Sequence, residues 1–198
     1  MLLFVGIPLV FVVVFIGVVL AVSNGPSGVG LVNANDLNPA PSPLSVGTKA
    51  PDFTLKTVDG KSYTLSSYKG KPVLLEFFAV WCPHCQAESK VLNQLDAAFG
   101  PHGLQTIAVL ASPYGKNYDN SGGTDLTIAT KSDINWFISN FKVTHLTLID
   151  PTFATVNKYG ASSYPTLYVL DKNGIIRFAN TGEQPYNAMA TVIQAALK

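Results

Sequence analysis

The chain has 198 residues, 12 acidic against 13 basic side chains, a formal net charge of +1 and two cysteines. A near-neutral balance without a basic run argues against nucleic acid as a partner. Cys82 and Cys85 are three positions apart. A bridge closing so short a loop restrains the unfolded chain little, so the pair reads as chemistry rather than as a staple.

Residues 2–22, "LLFVGIPLVFVVVFIGVVLAV", carry no charge and no strongly polar group. At ~1.5 Å of rise per residue such a run spans roughly the 30 Å of a bilayer core, and it exceeds the ~7–15-residue apolar part of a signal peptide. The expectation is a transmembrane anchor over residues 1–22. A cleaved signal ending near Ala21-Val22-Ser23 and a buried core helix are the other readings. No Lys or Arg precedes Lys49, so charge does not orient the segment. Residues 23–48, rich in Ser, Asn, Gly and Pro and lacking periodicity, read as a flexible linker. Residues 49–198 suit one compact domain.

Within that domain, "DFTLKTVDGKSYTL" (52–65) places two alternating stretches around Asp59-Gly60, a β-hairpin signal. "PVLLEFFAV" (72–80) is almost continuously apolar, as expected of a central strand buried on both faces; Glu76 sits in its middle. From Pro83 the period becomes helical, with Val91, Leu92, Leu95, Ala98 and Phe99 on one face and Gly100-Pro101 ending the run. "LQTIAVL" (104–110) is the next strand. The polar stretch from Ala111 to about Lys131 is long for a compact domain and reads as functional or mobile.

Ser132 is placed to cap a helix whose Ile134, Phe137, Ile138 and Phe141 share a core-facing side. "LTLI" (146–149) is a strand, and Asp150-Pro151 is expected to open a short helix reaching about Tyr159, with Pro151 at its first position. "TLYVL" and "IIRFA" flank Asn173-Gly174 as an antiparallel hairpin. The last helix puts Met189, Val192, Ile193, Ala196 and Leu197 on one side. Strands alternating with helices, then a closing hairpin and helix, imply an α/β fold with a mixed sheet.

Trp81-Cys82-Pro83-His84-Cys85 lies where the buried strand hands over to a helix, so Cys82 falls at the N-cap and Pro83 at the first helical position. Free backbone N–H groups, the positive end of the helix dipole and an imidazolium on His84 all favour a thiolate at Cys82. Cys85, one turn on, faces the same way but deeper, so Cys82 exchanges with the substrate and Cys85 resolves the mixed disulfide. Glu76, on the strand beneath, is placed to accept or return the proton of Cys85, because burial raises a carboxyl pKa.

"LLEFFAVWCPHC" (74–85) resembles the active-site segment of the thioredoxin superfamily, with an acidic residue six positions before the first cysteine. "APDFTL" (50–55), the hairpin, the additional helix and strand near 132–149 and "YGASSYPTLYVLDKNGII" (159–176) are similar to its membrane-anchored TlpA/ResA-like thiol-disulfide oxidoreductases. The resemblance covers about residues 46–198. It implies a thioredoxin fold with an N-terminal β-hairpin and a central insertion. It also implies a cis-proline at Pro165 facing the cysteines, and substrate docking near Tyr164, Pro165, Trp81 and Pro83.

Two features depart from the branch. Many relatives place Glu-Pro between the cysteines and act as reductants, whereas Pro-His is the dipeptide of DsbA-like oxidases, which tilts the expectation towards an oxidase. The second departure is the 111–131 stretch, expected beside the cysteines if its strand runs parallel to the one bearing them.

The bland readings stand beside these. Glu76 would be satisfied by a lysine such as Lys90 or by water; His84 would face solvent; Trp81 would only pack. His102 and His145 read as structural or surface residues, and Phe137 and Phe141 as core. A tetrahedral metal site needs four ligands, and no His shows companion spacing, so no metal is expected. A peroxidase is disfavoured because peroxiredoxins carry Thr-x-x-Cys where this chain has Ala79-Val80-Trp81-Cys82.

The expected protein is therefore a thiol-disulfide oxidoreductase held outside the cytoplasm by its N-terminal helix. It needs no cofactor beyond the Cys82–Cys85 couple. Its partners are cysteine-containing exported proteins, a membrane or extracytoplasmic redox partner, and the membrane itself through the N-terminal helix. A reductase of cytochrome c assembly and a metal- or copper-binding module are the alternatives.

Overall fold

The computed structural model describes residues 42–118 and 129–198. Among them no helix is long and apolar enough to cross a membrane; the apolar stretch 2–22 lies outside the described residues. Seven strands form one mixed sheet: β1 (Thr54–Lys56), β2 (Ser62–Thr64), β3 (Val73–Phe78), β4 (Gln105–Leu110), β5 (Leu146–Ile149), β6 (Thr166–Leu170) and β7 (Ile176–Thr181), in the order β2-β1-β5-β4-β3-β6-β7. The helices are α1 (Pro83–Phe99), α2 (Lys131–Asn140), α3 (Ala154–Lys158) and α4 (Tyr186–Leu197).

β3 lies between β4, parallel, and β6, antiparallel, and all six of its residues are buried. That explains its unbroken apolar run, because neither face meets water. The period of two sorts its side chains. Val73, Leu75 and Phe77 enter a core with Tyr159, Tyr168 and Val156 of α3. On the other face Leu74 packs with α1 and α4, and Phe78 meets Ile134 and Phe137 of α2. Glu76 shares the parity of Leu74 and Phe78 and so belongs to the α1 face.

Three local expectations are corrected. α2 is capped by Thr130, not Ser132: the Thr130 hydroxyl accepts from the Asp133 N–H, and the Asp133 carboxylate accepts from the Thr130 N–H. Asp133 is the acidic third helical residue that completes this reciprocal box, which is why the start falls two residues earlier. α3 begins at Ala154, not Pro151, because Asp150 satisfies its first turn from outside, its carboxylate accepting from the N–H groups of Thr155 at 2.7 Å and Val156 at 3.0 Å. Residues 42–48, the end of the expected linker, are tied to the domain. The Leu44 N–H donates to the Tyr168 hydroxyl and the Gly47 N–H to the Ile176 carbonyl. Gly160 lets this strap pass: a Cβ there would lie 2.0 Å from the Ser42 carbonyl oxygen.

Candidate active site

β3 and β4 run parallel, so the turn after β3 and the loop after β4 meet at one sheet edge, as the sequence implied. Cys82 is the N-cap of α1, with extended backbone (φ −77°, ψ 118°), and Pro83 follows in the first turn, where its missing N–H costs nothing. The inward stripe of α1 runs Cys85, Glu88, Ser89, Leu92, Leu95, Phe99, a helical period of three and four. Cys85 is fully buried while Cys82 is 5 % exposed, so of the pair only Cys82 meets the surface.

Both cysteines are free thiols. Cys82 is pulled down from 9.0 to about 6. The largest cause is a hydrogen bond from the Cys85 thiol to the Cys82 sulfur; burial opposes it, and the N–H groups of Cys85 and His84 and then the His84 charge add to it. The helix tip and His84 therefore act as the sequence suggested, but behind the second cysteine. Cys85 moves the opposite way, well above the ordinary thiol, because it is buried and because its proton is held by Cys82. One sulfur is therefore the more acidic and the other the more firmly protonated.

Glu76 is 1 % exposed, and neither carboxyl oxygen has a hydrogen-bond partner among the described residues. Burial, then the nearby Glu88 and Cys82, raise its pKa well above the carboxylate range. Lys90 is exposed and makes no ion pair among the described residues, so the lysine-satisfied reading is set aside. Glu88, also 1 % exposed, lies one turn past Cys85. Its Oε2 accepts from the Gln184 N–H at 2.8 Å, while Oε1 has no partner among the described residues. Burial lifts it to about 7, against the pull of the Gln184 N–H. Sequence reasoning missed Glu88; the signal was its register with Cys85 on the buried stripe of α1.

Around Cys82 the rim is aromatic. Tyr164 precedes Pro165 through a cis peptide, and its carbonyl lies 3.6 Å from the Cys82 sulfur. Trp81, half-buried, donates from Nε1 to the Ser112 hydroxyl at 2.8 Å and packs edge-on against Tyr118 and Tyr164. Tyr118 stacks on Tyr114 at 4.2 Å. The loop after β4 thus buttresses Trp81. His84 faces solvent, and its Nδ1 lies 2.6 Å from Glu183 Oε1, which raises the imidazole pKa. Pro83 is exposed beside it.

His102 and His145 lie away from this constellation. His145, half-buried, is pushed down to about 4 by the burial of its ring, which leaves it neutral. Among the described residues no three His, Cys, Asp or Glu side chains are grouped to hold a metal.

A buried proton-bearing thiol beneath an acidic one, on a thioredoxin-type scaffold, is the arrangement of a dithiol-disulfide couple, and comparison with known proteins agrees. The AhpC/TSA family model matches residues 46–179, about two thirds of the chain. The chain belongs to the AhpC/TSA family. Its relatives include the thiol-disulfide oxidoreductase ResA of Geobacillus thermodenitrificans, 31 % identical over 70 % of this chain and 71 % of that protein. The thioredoxin-like protein YneN of Bacillus subtilis is 33 % identical over 70 % of this chain and 73 % of that protein. Among solved structures, a putative thiol:disulfide interchange protein DsbE from Chlorobium tepidum superposes with a TM-score of 0.65 at 29 % identity, covering 78 % of this chain and 99 % of that one. The chain is accordingly a thiol-disulfide oxidoreductase of the ResA/DsbE type.

Proposed function

We propose that the protein exchanges dithiol and disulfide with cysteine pairs of exported proteins and runs towards oxidation of its substrate. The carrying observation is Cys82 at about 6 above a buried, protonated Cys85. A stabilised thiolate makes the reduced enzyme favourable and the disulfide a willing donor. Substrate thiolate attacks Cys82 of the Cys82–Cys85 disulfide, and Cys85 leaves and takes up a proton. The second substrate thiolate then attacks its own sulfur in the mixed disulfide and expels Cys82 as the thiolate, so two electrons pass to the enzyme. In this reading Glu76 supplies the proton that Cys85 takes up, and Glu88, poised near neutrality, re-protonates it from solvent. Trp81, Pro83, Tyr164 and Pro165 form the face on which the substrate strand lies, with the Tyr164 backbone as its pairing partner. His84 steadies the thiolate weakly. The couple itself carries the electrons, with no further cofactor or metal.

The 2–22 stretch holds the domain at the membrane, facing the oxidising side where disulfides persist. Trapping separates the cysteine roles. With a disulfide-bonded model substrate, Cys85→Ala is expected to accumulate a mixed disulfide through Cys82, and Cys82→Ala to form none. Retained turnover in Cys82→Ala would overturn the assignment.

A further inference from the structure

At the end of the sheet opposite the cysteines, a cleft of about 90 Å³ is rimmed by Lys49, Lys69, Lys71 and Lys172. Its floor is apolar, with Leu65, Val73 and Leu170. None of the four lysines makes an ion pair among the described residues. The two carboxylates beside them are engaged elsewhere: Asp52 accepts from the N–H groups of Phe53 and Ser66, and Asp171 holds Arg177. Arg177 is matched by Asp171, so the four lysines stand against Asp52 alone and leave this end with an excess of positive charge.

The geometry points to a docking face for anionic phospholipid headgroups. The cleft is too small for a whole organic ligand, whose pockets run ~300–1,000 Å³, yet it has room for a phosphate-sized group with its apolar flank against Leu65 and Leu170. Each lysine near an anionic leaflet strengthens surface partition roughly fivefold, and the effect fades beyond a Debye length. Val73 lines the cleft and Phe78 ends the same strand, about 17 Å further at ~3.3 Å per residue. Docking this end would therefore hold Cys82 facing away from the bilayer, open to substrates. The inference rests on the membrane-anchored reading, and its test separates the two.

The full chain, in discs of phosphatidylglycerol or of phosphatidylcholine, is treated with a water-soluble acetylating reagent and read by peptide mass spectrometry. Labelling of Lys49, Lys69, Lys71 and Lys172 is expected to slow at least about tenfold in phosphatidylglycerol, while Lys90 and Lys131 stay unchanged, and high salt is expected to abolish the difference. The variant Lys69→Glu/Lys71→Glu/Lys172→Glu is expected to restore labelling of Lys49 and to leave disulfide exchange intact. A chain that stays in both discs and labels equally keeps its anchor and overturns the docking face. A chain that leaves only phosphatidylcholine overturns the anchor and supports docking, and one that leaves both overturns both. Equal protection by inorganic phosphate in detergent would mark a free-anion site and overturn the lipid assignment.

Discussion

Cys82 owes its acidity chiefly to a neighbouring thiol, and that ordering is open to mutation. Because Cys85 donates the largest stabilising contact, Cys85→Ala should move the midpoint of Cys82 alkylation upward from about 6 by roughly a unit or more, measured as iodoacetamide rate against pH. A midpoint left in place would return the credit to the helix tip and His84. Glu88 makes the reverse kind of prediction. Its folded pKa, about 7, lies above the ordinary 4.5, so the folded chain holds its proton more tightly than the unfolded one. That contribution is complete below about pH 4.5 and is lost as pH rises through about 7. Cys82 has the opposite sign: its thiol is depressed from 9.0 to about 6, and its contribution is lost as pH falls through the latter value. In a Cys82→Ala background, Glu88→Gln should therefore flatten the fall in thermal stability across that range. An identical slope with and without Glu88 would contradict its burial as a carboxyl.

At the level of elements, most of the architecture was written in periodicity. β3, α1 and the closing hairpin carry strong, unmixed patterns, and the structure places them within a residue or two. The misses came where a side chain acts outside its own element. Asp150 caps α3 from across a turn, and Thr130 takes the cap through a carboxylate three residues on; a rule that looks for the nearest hydroxyl or the first proline finds neither. Thr130→Ala should cost about 1 kcal/mol of stability in chemical denaturation, whereas Ser132→Ala should cost little; the reverse order would return the cap to Ser132. In the site, Cys82, Cys85 and Glu76 could be read from spacing and from a charge inside a buried run. Glu88 escaped because an acidic residue on a helix ordinarily means solvent, and only the packing of α1 on β3 and the Gln184 N–H show otherwise; Glu183 escaped because it lies on an exposed loop 99 residues from His84.

For the whole molecule, the two ends of the sheet differ in chemistry: a desolvated dithiol with its carboxyls at one, a cluster of lysines without ion pairs among the described residues at the other. The central claim is that this dithiol is a reversible, mildly oxidising couple. A Cys82 at about 6 lies between the ~7 of thioredoxin and the ~3.5 of DsbA, which puts the expected potential between their ~−270 and ~−120 mV. Equilibration with glutathione buffers, followed by quantifying the Cys82–Cys85 disulfide by mass, measures it directly. A two-electron transition between those two potentials is the expected result. A midpoint at or below the thioredoxin potential, or no closure of the pair at any poise, would contradict the account.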